Sequence, residues 1–175
     1  MLSGEEIINE INRGNIVINP FNEKDVGPNS YYVHLKDELL IYEEDVLDCK
    51  KENKARKVTI GEDGYVLRPG ELYLGRTVEY TETDHFVPLL CGRFSLAALG
   101  VTIHITAGFG DNGFKGTWTL EICTLKPVRI YPNMKIGHIC YFPIVGTEGI
   151  KYSGKYLGQI DATASRIHKD EYFGE

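Results

Sequence analysis

Short runs of branched and aromatic residues recur about every ten residues along this chain, and most are closed by Gly, Pro, Asn or Asp. That punctuation predicts strands over 16–20, 31–35, 39–42, 86–90, 117–124, 128–131 and 136–144. Two more fall between 64 and 77, joined across Arg68-Pro69-Gly70. One helix stands apart at the N-terminus. Ser3 followed by Glu6 forms a capping box, Ile7, Ile8 and Ile11 give a helical stripe, and Gly14 marks the stop. The pattern is mainly β, a barrel or sandwich with an N-terminal helix. Residues 43–57 are densely charged and read as an exposed loop. The tail over 152–175 has few apolar anchors and reads as an arm that lies on something. A length of 175 residues fits one domain, 1–175, with a real core.

Net charge is −6, which argues against a broad nucleic-acid surface but leaves room for a small anionic ligand held by a few local cations. None of the four cysteines pair at CxxC spacing, so a zinc ribbon is not expected. Cys91, Cys123 and Cys140 sit in apolar runs, as small hydrophobes do. A reduced, cytoplasmic protein is expected. The first residues are too polar for a signal peptide, and no apolar run approaches the ~20 residues that span a bilayer, so no membrane partner is expected.

The stretch over 90–125 carries the chemistry. Arg93 offers a planar fork suited to phosphate oxygens, with Ser95 beside it. Asp111 sits in the turn Gly110-Asp111-Asn112-Gly113, where it is either a turn former or a ligand for a sugar hydroxyl. Glu121 lies on a strand whose alternation puts Trp118, Leu120 and Ile122 on one face and Thr117, Thr119, Glu121 and Cys123 on the other. A lone glutamate there is either a solvated outer residue or a general base. His104, between Ile103 and Ile105, is either an interior histidine or a pocket residue.

The segments PNSYYVHL, LRPGELYLGRT, GRFSLAALG, HITAGFGDNGFKGTWTLEI, PNMKIGHICYF and YSGKYLGQ, in this order and spacing, resemble the dCTP deaminases. That family is a branch of the trimeric dUTPase superfamily, built on a distorted β-barrel. The resemblance implies that barrel with an N-terminal helix and a C-terminal arm, and a homotrimer with shared sites. It implies Mg2+ on the triphosphate and no zinc; the H-x-E and P-C-x-x-C signature of zinc deaminases is absent from the sequence. It makes Glu121 the catalytic residue and has the Ala107 backbone position the attacking water. Arg93 and Ser95 grip the triphosphate, Asp111 holds the 3′-hydroxyl, and His104 and Thr106 line the pocket. Tyr152, Lys155 and Gln159 close over sugar and phosphates. The chain departs from the family's R-S-S-L-x-R-L-G at Phe94 and Ala98, the side chains that help hold the reactive water.

The function implied first is hydrolytic deamination of dCTP to dUTP and ammonia, with Glu121 acting as base and then acid. A second reading is pyrophosphate release, from dUTP or in a combined dCTP-to-dUMP reaction, with Asp111 orienting a water at the α-phosphate. A third, prompted by Phe94 and Ala98, is a nucleotide-binding relative without turnover.

Overall fold

The computed structural model describes residues 1–146 and 149–171. In chain order the elements are α1 (Gly4–Asn12), β1 (Ile16–Asn19), β2 (Tyr31–His34), β3 (Glu38–Tyr42), β4 (Ala55–Thr59), β5 (Tyr65–Leu67) and β6 (Tyr73–Thr83). There follow β7 (Phe86–Gly92), α2 (Phe94–Ala97), β8 (Val101–Thr102), β9 (Lys115–Thr124), β10 (Val128–Ile130) and β11 (Lys135–Pro143). The chain is mainly β, as its punctuation predicts. α1 starts where the Ser3 hydroxyl accepts the Glu6 amide at 3.2 Å, leaving one fewer orphan donor in the first turn.

The largest sheet runs β4-β3-β6-β9-β8, with β1 also paired to β6. A second runs β2-β11-β7, and β10 pairs with β5 in a third. All of these pairings are antiparallel. Single bridges from Leu35 to Thr77 and from Leu89 to Phe109 stitch the second sheet to its neighbours. The sheets enclose one core of fully buried Ile7, Val33, Leu35, Leu39, Leu67, Leu120, Ile122, Ile130, Ile136 and Ile139. Burying side chains of this size contributes about 1.5–3 kcal/mol each relative to leaving them in water.

Two expectations need correction. The exposed loop expected over 43–57 ends earlier, because Ala55–Thr59 form β4 against β3. β4 is an edge strand with Arg56 and Lys57 exposed, so a polar composition did not prevent pairing. The segment LRPGELYLGRT is not a hairpin. β5 pairs with β10, and β6 pairs with β3, β9 and β1, so the two runs beside the Pro69-Gly70 turn go to different sheets. Of the arm expected over 152–175, residues 172–175 lie outside the described residues.

Candidate active site

β9 lies between β6 and β8 in the largest sheet, and its pleat places Glu121 opposite Leu74 of β6 and Thr119 opposite Arg76. Trp118, Leu120 and Ile122 turn into the protein and are buried. Glu121 is half-buried on the other face, in a hollow of about 420 Å3 lined also by Leu72, Leu74, Ala107, Phe109 and Thr119. Burial pushes its carboxyl above the ordinary glutamate value. The Ile105 amide, donating to Oε2 at 3.2 Å, and the nearby His104 pull the other way without cancelling the rise. A carboxyl shifted toward neutrality beside apolar walls can take a proton from water and return it to a leaving group.

The rim of the hollow is built by a tight turn. Gly110 must be glycine, because a Cβ there would lie 2.3 Å from the Trp118 ring. Gly113 holds φ +88, which lets the chain reverse after Asp111 and Asn112. Asp111 is exposed at this rim, and the Asn112 carbonyl accepts the Tyr152 amide at 2.7 Å. A shallower depression of about 570 Å3 adjoins across Asp111 and Tyr152, without Glu121 in its lining.

The arm crosses the mouth. Gly158 donates its amide to the Lys115 carbonyl at 2.7 Å, and the Thr117 amide donates to the Gln159 carbonyl at 2.9 Å, a short pairing along β9. Gly116 permits it, since a Cβ there would meet the Gln159 carbonyl oxygen at 2.6 Å. The Gln159 amide nitrogen donates to the Thr117 carbonyl at 2.8 Å, while its Oε1 is buried with no protein partner. A buried acceptor of this kind suits a donor on a ligand.

Of the residues the resemblance singles out, Glu121, Ala107, Asp111, Tyr152 and Gln159 line this hollow. Arg93, Ser95, His104, Thr106 and Lys155 do not. Arg93 packs 5.4 Å from the Tyr32 ring and donates to the Lys135 carbonyl at 3.1 Å, on the β2-β11-β7 sheet. Ser95 is exposed on α2, and Thr106 is exposed beyond β8. His104 is half-buried with Nδ1 unpartnered, and Gly108 lies against its ring. Lys155 is paired with Asp170. Phe94 is 86% exposed and Ala98 is also exposed, so neither dries the Glu121 hollow within one chain; Leu72, Leu74 and Phe109 do that.

Sequence reasoning missed Tyr42, Leu74, Phe114, Tyr156, Thr163 and Ser165 in the lining. Tyr42 reaches the hollow through β3, a strand distant in sequence from β9, so no local pattern marks it, whereas Leu74 lies in the LRPGELYLGRT segment. Tyr156 lies in the YSGKYLGQ segment, next to Lys155.

A family model described as dCTP deaminase-like matches residues 1–144. The chain belongs to the dCTP deaminase-like family. A "dCTP deaminase, dUMP-forming" of Hathewaya histolytica is 53% identical over 170 residues, covering 97% of this chain and 98% of that protein. The protein so named in Clostridium acetobutylicum is 54% identical over 171 residues, with the same coverage. In Leptospira biflexa a protein of that name is 46% identical over 170 residues, covering 97% of each. Among solved structures, the 2′-deoxycytidine 5′-triphosphate deaminase of Agrobacterium tumefaciens superposes with a TM-score of 0.64 at 14% identity. That match covers 80% of this chain and 47% of the other, about half the solved chain's length, and it shows the dCTP deaminase-like fold. The relatives' names overturn dUTP as the expected end product, because they are dUMP-forming. The combined dCTP-to-dUMP alternative agrees with them, and neither pyrophosphate release from dUTP alone nor a reading without turnover does.

Proposed function

We propose that this chain binds dCTP in the hollow beside Glu121 and converts it with two waters to dUMP, ammonia and pyrophosphate. The half-buried Glu121, with its raised carboxyl, carries the reading. One water adds its oxygen to C4 of the cytosine as Glu121 takes its proton. Glu121 then returns the proton to the amine, the C4–N bond breaks and ammonia leaves. The Ala107 backbone, which lines the same wall, positions that water. A second water, oriented by Asp111, attacks the α-phosphorus, and the bond to the β-phosphate breaks with release of pyrophosphate.

Arg93 and Ser95 grip the triphosphate from a neighbouring subunit of a homotrimer, since within one chain they face away from the hollow. Exposed Phe94 at 86%, Leu99 at 56% and Leu125 at 81% support such an assembly, and Leu125 touches Gly100 just beyond α2. Tyr152, Gln159 and Lys155 close over sugar and phosphates, and His104 and Thr106 flank Ile105, whose amide donates to Glu121. Magnesium suits a donor set of phosphate oxygens, waters and a single carboxylate such as Asp111. The triphosphate oxygens would be its main ligands, with the protein contributing at most one carboxylate. When bound it neutralises charge on the departing pyrophosphate. All four cysteines are free, in keeping with a reducing cytoplasm.

Incubation with dCTP and magnesium tests the reading directly. Equal amounts of ammonia and pyrophosphate are expected, with dUMP as the nucleotide product and Glu121→Ala as the control. Ammonia with accumulating dUTP and no pyrophosphate would overturn it.

A further inference from the structure

Glu38 has no place in the chemistry above, yet it is one of the most heavily bonded carboxylates in the protein. It is 6% exposed, at the start of β3. Arg76 Nε donates to its Oε1 at 2.6 Å, and Lys57 pairs with Oε2. The same Oε1 accepts the backbone amide of Ala162, at 3.4 Å. Among the described residues of the arm, Ala162 is the one apolar residue that is buried, and the neighbouring Asp161 lies 4.0 Å from Arg76. Burial pushes the Glu38 carboxyl up, but the bonds from Lys57 and Arg76 outweigh it and hold it below the ordinary range. It therefore stays an anion under the arm at neutral pH.

The position of this anchor matters. Arg76 sits opposite Thr119 on β9, two residues along from the pair of Leu74 and Glu121. A spacing of two keeps Arg76 and Thr119 on the same sheet face as Glu121. Thr119 in turn takes both halves of the arm's grip: its hydroxyl accepts the Thr163 amide at 3.1 Å and the Gln159 side chain at 3.3 Å. Just beyond, the Ser165 amide donates to the Tyr42 hydroxyl at 2.9 Å and the Arg166 amide to the Tyr156 hydroxyl at 2.9 Å. Gln159, Thr163, Ser165 and Tyr156 all line the hollow. Between Gln159 and Thr163 the arm touches the sheet at Glu38 and Arg76.

We propose that Glu38 is a positioning residue for the reaction: together with Arg76 it catches the arm at residues 161–162 and so fixes Gln159, Thr163 and Tyr156 over the nucleotide. This rests on the reading of the hollow as the nucleotide site. Glu38 touches neither substrate nor reacting atoms. Its effect on binding passes through the arm alone.

Amide exchange of the full-length, ligand-free protein is the first readout, and steady-state kinetics with dCTP the second. In Glu38→Gln, exchange over 158–166 should quicken roughly tenfold, the scale of one charge-assisted hydrogen bond lost, while Leu120 and Ile122 on β9 stay protected. KM for dCTP should rise roughly tenfold with kcat within about threefold, because an arm that must be ordered at each binding weakens ground and transition states alike. Glu38→Asp, which keeps the charge, should recover part of both effects. Ala162→Pro removes the donated amide from the arm side and leaves the buried ion pair intact, so it gives the same test if Glu38→Gln fails to fold. Unchanged exchange over 158–166 in either folded variant overturns the catch. Faster exchange with an unchanged KM keeps the catch but overturns the positioning role of Glu38, whereas deamination that survives Glu121→Ala overturns the assignment of the hollow to the nucleotide.

Discussion

The Glu121 hollow and the Arg93 face are built in opposite ways. The hollow is assembled within one chain: a rigid strand, a glycine-framed turn and a hydrogen-bonded arm converge on one half-buried carboxyl. The Arg93 face is open, with the guanidinium resting over Tyr32, Ser95 exposed and Phe94 and Leu99 uncovered beside it. Proton chemistry needs a dry, preformed wall, which one fold can supply. Gripping a long polyanion needs cations, and within this chain Arg93 faces away from the hollow.

The largest effect should come from Glu121→Gln, which keeps shape but cannot take a proton. Ammonia release from dCTP should fall by about 10³-fold, within the range that a lost general base costs, while pyrophosphate release from added dUTP continues. Loss of both activities together would break the division between the hollow and the phosphate site. Next, Arg93→Ala should raise KM for dCTP on the order of 30- to 100-fold, the cost of removing a charge from an anion. Mixing Arg93→Ala with Glu121→Gln, after dissociation and reassembly, should restore part of the deamination at low dCTP, where each variant alone is impaired. If no activity returns, Arg93 serves its own chain's hollow and the contrast with a neighbour's contribution fails.

A smaller effect is expected at the arm. Gln159→Ala removes the bond to the Thr117 carbonyl and the buried acceptor, and should raise KM roughly tenfold, read by initial rates across dCTP concentrations. The smallest effect concerns pH. Burial raises the Glu121 carboxyl, so its basic form is lost as pH falls through a value above the ordinary one. The acid limb of the deamination rate should therefore lie above the usual glutamate range. For stability the sign is opposite to that of an ion-paired carboxylate. The native state favours the protonated form, so Glu121 is neutral to stability at low pH and weakens the fold as pH rises through its raised value. Glu121→Gln should melt at or above the parent temperature near neutrality, with the difference closing below about pH 4. A lower melting temperature at neutral pH would show that Glu121 is not held in a dry wall.

Much of this was legible residue by residue. Ser3 and Glu6 fixed the start of α1, and the alternation through Trp118, Leu120 and Ile122 placed Glu121 on the opposite face of β9. Gly110 and Gly113 marked the rim turn because only glycine meets the demands of contact and dihedral there. The partners of strands were not legible. β5 went to β10 rather than across its own Pro69-Gly70 turn, and the stretch around the charged Arg56 and Lys57 paired as an edge. Glu38 and Tyr42 gave no local sign of their place beneath the arm, because both come from β3, far along the chain from β9.

The sequence alone determined α1 and most of the strands, the face on which the carboxyl stands and the family, because those depend on neighbours a few residues apart and on motifs in fixed order. Only the tertiary structure decided that Glu121 is dried by Leu72 and Leu74, that the arm is tied down at Glu38, and that Arg93 faces elsewhere. Those three facts depend on which distant strands lie side by side. That choice is made by burial of the whole core rather than by any short run of residues.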